Sequence, residues 1–256
     1  MLRFICLSFC LFISLTLPAQ FLDHLSEDDG GYLFGLRGGP SLGTQNWSGF
    51  EMRPLLTYHG DLFIESIPEE GRFSLWASLG YHIRGSRIQR RNAFDLNGNQ
   101  FRIPSETFQF QNLVLNLGGK QVFSYTKIAD LYYTIALRVE YNLATNLSEY
   151  NDLGENNGAI RLFYPFDEPT YIRDITYGVT VGAGMDIPLG DKVGLLLQVT
   201  AAPDFSFQYD QPPIENVYNP YTRNNTTLAQ RQIRNFTLEL SAGFRFLRKI
   251  EYIEDF

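Results

Sequence analysis

The sequence predicts an all-β fold, an eight-stranded antiparallel up-and-down transmembrane β-barrel, and three observations carry that prediction. Apolar residues alternate with polar or small ones over long segments, the links between segments are alternately long and short, and lysine is scarce. Successive side chains of a strand point to opposite faces, so period-two patterning makes one face greasy and the other polar.

Eight segments show this pattern: 32–44, 54–67, 73–85, 107–123, 129–144, 176–189, 193–209 and 235–248. The fifth sets Leu131, Tyr133, Ile135, Leu137, Val139, Tyr141 and Leu143 on one face, with Thr134, Arg138, Glu140 and Asn142 on the other. The seventh keeps phase from Val193 through Val199 and Phe205 to Tyr209, so one unbroken strand is expected there. In the fourth, Phe108 and Phe110 are out of phase with Leu113, Leu115 and Leu117, and a β-bulge near Gln111 and Asn112 is expected to restore the alternation.

The links at 68–72, 124–128 and 190–192 are short, and those at 45–53, 86–106, 146–175 and 210–234 are longer. Up-and-down strands would then send every long link to one rim, the layout of barrels with short periplasmic turns and long outer loops. All four lysines, Lys120, Lys127, Lys192 and Lys249, fall near the short-turn rim, away from the centre of any apolar face. A soluble lipocalin-like barrel or sandwich would alternate in the same way, but it would carry dense Lys and Glu outside.

The chain of 256 residues has 15% aromatic content and a formal charge of −7, which argues against nucleic acid as a partner. Its cysteines, Cys6 and Cys10, lie in an apolar stretch between Arg3 and Ala19 that reads as a secretory signal peptide, leaving the rest without thiol chemistry. After that stretch no apolar run is long enough for a membrane-spanning helix. The expected organisation is a signal peptide over 1–19, a short periplasmic segment over 20–31 and the barrel over 32–256.

The polar face contributes Arg37, His59, Asp61, Glu65, His82, Arg84, Arg138, Glu140, Asp186, Asp204, Glu239 and Arg245, of both signs and expected to pair inside a narrow lumen. His59, Asp61 and His82 also make a metal or acid–base cluster worth weighing, but a hydrogen-bonded lumen network is the expectation, with no metal, cofactor or catalytic residue. Arg87, Arg90, Arg91 and Arg102, in or near the second long link, suit forked contacts with phosphates of outer-leaflet glycolipid. The third long link carries Glu149, Asp152 and Glu155, whose spacing matches no Ca²⁺ loop. The fourth, stiffened by Pro212, Pro213 and Pro220, displays Tyr218 and Tyr221 for partner contact.

Four phrases carry a family likeness: FGLRGGPSLG at 34–43, LWASLGYHIRGSRI at 75–88, YGVTVGAGMDIPLG at 177–190 and FTLELSAGFRFLRK at 236–249. They resemble the outer-membrane β-barrel family that includes the PorT-like proteins of Bacteroidota-type bacteria. That resemblance implies an outer-membrane barrel, some of whose relatives are linked to a protein secretion and gliding apparatus, and it supplies no shared catalytic residues. The sequence reading is therefore a non-enzymatic structural or interaction component with both barrel termini in the periplasm. Its expected partners are outer-membrane lipid and envelope or secretion proteins met through the outer loops. The alternative is a lipid-modifying or proteolytic barrel enzyme.

Overall fold

The computed structural model describes residues 31–47, 52–67, 73–88, 92–94, 100–102, 107–126, 128–147, 169–190, 192–219 and 223–249. Its strands are β1 (Gly31–Trp47), β2 (Met52–Ser66), β3 (Phe73–Ile88), β4 (Asn92–Phe94), β5 (Gln100–Arg102), β6 (Thr107–Tyr125), β7 (Asp130–Thr145), β8 (Ile175–Pro188), β9 (Val193–Pro203), β10 (Tyr209–Gln211), β11 (Ile214–Asn219), β12 (Asn224–Leu228) and β13 (Arg231–Lys249). Strands β1, β2, β3, β6, β7, β8, β9 and β13 pair in that order, and β1 pairs with β13 to close the ring. The residues Tyr32–Arg248 form one compact unit. Each pairing from β1 round to β13 is antiparallel, so this is an eight-stranded up-and-down barrel, without the free edges that invite association.

Closure satisfies the backbone; the side chains are then sorted by face. Along β7, Tyr132, Thr134, Ala136, Arg138 and Glu140 are buried, while Tyr133, Ile135, Leu137, Val139 and Tyr141 are exposed. In β2 the buried set is His59, Asp61, Phe63 and Glu65, against exposed Tyr58, Leu62 and Ile64. The distribution is inverted relative to a soluble domain: charged and amide side chains fill the interior and leucines cover the outside.

The outer face is itself layered. Exposed Phe34, Phe73, Phe123, Tyr125, Tyr133 and Phe244 lie in the strand halves next to the short turns. Tyr58, Tyr141, Tyr177 and Phe236 lie in the halves next to the long connections. Between these two aromatic belts the exposed residues are aliphatic, among them Leu36, Leu79, Leu117, Leu137, Val181 and Leu240.

Two expectations about phase are corrected. The pairing of β6 with β7 does shift between Gln111 and Asn112, but the extra residue is on β7, where Leu143 is passed over between Asn142 and Ala144. β6 itself runs on without a break against β3, so Phe108 and Phe110 stay on the inner face with Asn112, Val114 and Asn116. The seventh segment does not continue to Tyr209. β9 stops at Pro203, the backbone bends over residues 204–208, and pairing with β13 resumes at Tyr209 opposite Ile233. The bulge changes which face follows: Phe205 is exposed but Tyr209 is buried. The third short link is held by the Leu189 amide donating to the Val193 carbonyl at 2.9 Å. The second and fourth long connections carry the small hairpins β4–β5 and β11–β12.

Candidate functional site

An eight-stranded barrel leaves an interior about as wide as the side chains that line it. Whatever chemistry this one performs in its lumen therefore depends on how those side chains meet. Nearest the short turns, Lys120 Nζ lies 3.0 Å from Glu65 and 3.9 Å from Asp186, and Arg245 also pairs with Asp186. Phe63, Val122, Tyr132 and Leu196 pack beside them, with the Lys120 ammonium 4.5 Å from the Tyr132 ring centre and the Arg37 guanidinium 4.9 Å from that of Trp76.

Above this floor the charges form a continuous chain. Arg37 Nε donates to Asp61 at 3.3 Å. His82 bridges Asp61 and Glu239, 2.9 Å from each. Arg84 lies 3.5 Å from Glu239 and 2.8 Å from Glu140; Glu140 in turn is 2.6 Å from Arg138, and Arg138 pairs with Asp204. Neutral groups hold the carboxylates from the side: Thr200 donates to Glu239 at 3.0 Å, Asn112 to Glu140 at 2.6 Å and Asn235 to Asp204 at 2.8 Å. Arg84, Arg138 and Glu140 are each about 1% exposed. Charges this dry persist only when paired and hydrogen-bonded.

The histidines are arranged as neighbours but not as ligands. His59 and His82 are register partners on β2 and β3 with rings 5.2 Å apart. His59 is placed 2.8 Å from both Ser41 and Ser241 through its two ring nitrogens. With His82 engaged by two carboxylates, all four ring nitrogens are used inside the barrel. Among the described residues no group of three His, Cys, Asp or Glu side chains is set to hold a metal ion. Serine beside histidine is the pairing nucleophilic catalysis needs; here Ser41, 1% exposed, and Ser241, 4% exposed, are buried within the barrel.

The lumen is closely packed, with a void of about 20 Å³ beside Arg37, Trp76, Lys120 and Tyr132. A Cβ placed on Gly182 would come within 2.7 Å of Thr200 Cγ2 and 2.8 Å of Gln198 Nε2, so a methyl group there would have to displace a neighbouring side chain. Toward the long connections Phe108, Phe110, Leu147, Tyr209 and Ile233 form a buried apolar cluster, with Met52, Tyr171 and Ile172 packed against it, beside buried Gln45, Gln208 and Gln211. The 3₁₀ turn Pro169–Tyr171 brings the Tyr171 ring edge-on to Tyr209, 6.2 Å between centres.

The structure thus brings Arg37, Asp61, His82, Arg84, Arg138, Glu140, Asp204 and Glu239 into one chain of contacts, with Glu65 and Arg245 joined to Lys120 and Asp186 nearer the short turns. Reasoning from the sequence placed Lys120 at the rim and missed its inward ion pair; its place on the phase of Asn112, Val114 and Asn116 was the available signal. The apolar cluster was missed too. Of the arginines assigned to glycolipid, Arg87 is exposed at the long-connection end of β3, Arg102 contributes backbone to β5, and Arg90 and Arg91 lie outside the described residues. Arg84, which precedes that group in sequence, faces the lumen. Glu149, Asp152, Glu155, Pro220 and Tyr221 also lie outside the described residues, as does the signal stretch.

No family model matches the chain, and comparison with curated proteins finds no significant relative. Among solved structures it is similar to the outer membrane protein OprG from Pseudomonas aeruginosa, at 9% identity and a TM-score of 0.47, covering 86% of this chain and 97% of that one. It is also similar to Neisserial surface protein A, at 11% identity and TM-score 0.40, covering 83% and 96% of the two chains. The Escherichia coli outer membrane protease OmpT gives 8% identity and TM-score 0.41, covering 85% and 97%.

Proposed function

We propose that this chain is a non-enzymatic outer-membrane β-barrel that serves as a structural or interaction component of the envelope. The observation that carries the reading is the inverted sorting of side chains, with an aliphatic band between two aromatic belts outside and an ion-paired lumen inside. A continuous apolar wall of this extent is stable only against lipid or a partner, and belts of Tyr and Phe belong at the two interfaces of a bilayer. Antiparallel closure lets such a wall enter hydrocarbon with no backbone group unpaired. On this reading the short turns and both barrel termini face the periplasm and the long connections face outward.

The interior supports a scaffold over a pore or an enzyme. Among the described residues the lumen is crossed by ion pairs and Phe108, Phe110 and Tyr209 pack across its end, and its serine and histidine side chains are buried, which supports a closed tube. Contact with partners then falls to the outer rim, where loops vary while the wall is constant. The specific role implied by the family resemblance is that of an accessory to a protein secretion apparatus, with contacts through 146–175 and 210–227 and glycolipid met by Arg87, Arg90, Arg91 and Arg102. The test is crosslinking in native membranes with either connection shortened. Heat-modifiable folding should persist while partner recovery falls; full recovery with both connections shortened would sink the reading.

A further inference from the structure

The upper aromatic belt has a polar break where β9 ends. Beyond Pro203 the bulge sets Phe205 outward, 56% exposed, and brings the half-buried Phe207 ring against Arg234, whose guanidinium carbon lies 4.5 Å from the ring centre. A groove of about 520 Å³ opens beside it, and its lining includes Thr44, Asn46, Pro203, Arg234 and Phe236. Thr44 and Asn46 lie on the outward phase of β1, opposite to buried Ser41 and Gln45, and Arg234 lies on the outward phase of β13 with Phe236. The groove therefore lies at the seam of β1 and β13, with Thr44, Asn46, Arg234 and Phe236 on its outward side and buried Gln45, Asp204 and Asn235 on its inward side, at the height where the belt gives way to the long connections.

Its electrostatics differ from those of the lumen. Arg37, Arg84, Arg138 and Arg245 each face a carboxylate. Arg234 makes no ion pair among the described residues; an aromatic ring, not an anion, holds its guanidinium in place. Asp204 also lines the groove, but Arg138 and Asn235 engage its carboxylate. The result is a positioned cation with a hydroxyl and an amide nearby, directly above Phe236 and Leu238, which are exposed on the apolar wall.

We propose that this groove binds the phosphate of one lipid molecule from the leaflet at the long-connection end, with an acyl chain laid over Phe236 and Leu238. Guanidinium binds phosphate through paired N–H donors, and a site shared between a lipid's charged and apolar parts favours the whole lipid over a free anion. The inference rests on the membrane reading above.

Native mass spectrometry of the full-length protein, released from detergent micelles containing lipid A, tests it. The wild type should retain one lipid A and discriminate against the same lipid without its phosphates. Arg234→Gln should lower retention by about tenfold, Phe207→Leu by about threefold because the cation is kept but loosened, and Arg248→Gln at the opposite end should leave it unchanged. Should Arg234→Gln fail to fold, Arg234→Lys, which keeps charge but loses the fork, should show an intermediate loss. Unchanged retention in the Arg234 variants, equal retention of the dephosphorylated lipid, or full displacement by millimolar inorganic phosphate or a sulfated oligosaccharide would each overturn the proposal. Failure of the wild type to insert into phosphatidylcholine vesicles would instead overturn the membrane reading on which it rests.

Discussion

The lumen is built from different materials at its middle and at the mouth next to the long connections. In the middle, Arg84, Glu140, Arg138 and Asp204 neutralise one another within about the width of one side chain layer; at the mouth, Phe108, Phe110, Leu147, Tyr209 and Ile233 pack as a buried apolar cluster. An apolar cluster loses stability in proportion to the volume removed, whereas an ion network fails when one member is taken away and the others are left uncompensated. The two regions should therefore respond differently to substitution, although both close the same tube.

The largest effect is expected in the middle. Glu140→Gln leaves Arg84 and Arg138 facing each other without their shared carboxylate and should cost about 3–5 kcal/mol, read from urea unfolding of protein folded into vesicles. A loss below about 1 kcal/mol would show that water reaches this layer and that the lumen is looser than its contacts indicate.

The mouth should tolerate more. Phe110→Ala should cost about 3 kcal/mol through the cavity it leaves. Single-channel recording would sharpen the comparison, because the ion-paired layer beneath still closes the barrel and the variant should stay electrically silent. Stable conductance in Phe110→Ala would make the apolar cluster the only closure.

The smallest effect belongs to His59, which bonds two serines and no carboxylate. His59→Gln can keep one of those hydrogen bonds and should cost about 1 kcal/mol in the same unfolding measurement. His82→Gln should cost more, since His82 joins Asp61 to Glu239. Equal losses at the two positions would remove the distinction drawn between them.

The wall was legible in the sequence and the ends of the barrel were not, for a physical reason. Period-two alternation separates two faces wherever they have opposite polarity, so Leu131 to Leu143 and their polar neighbours were assigned correctly along β7. Near the mouth that contrast disappears. Phe108, Phe110 and Tyr209 line an apolar interior, Phe205 and Phe236 lie on an apolar exterior, and an aromatic residue suits either environment. For Phe108 and Phe110 the unbroken alternation of β6 was the available signal, which the bulge expected near Gln111 and Asn112 obscured; for Tyr209 the bend over residues 204–208 changes the face and leaves no compositional mark. The ion pairs had the reverse fate. Which residues face inward was readable from phase, but who meets whom depends on stagger around the ring: Arg138 reaches Asp204 across 66 positions of sequence and His82 reaches Glu239 across 157.

The central claim is that the exposed aliphatic band faces hydrocarbon, and an arginine placed at two depths tests it most directly. Leu137 lies within that band on β7, 70% exposed; Ile128 lies at the short turn before the same strand, 75% exposed. Their similar exposure means that water alone would treat the two substitutions alike. Protein folded into phosphatidylcholine vesicles should lose about 2–4 kcal/mol with Leu137→Arg and about 0–1 kcal/mol with Ile128→Arg, by the depth dependence of cations on barrel walls. Equal and small losses at both positions would mean that the band does not face lipid, and the account would be wrong.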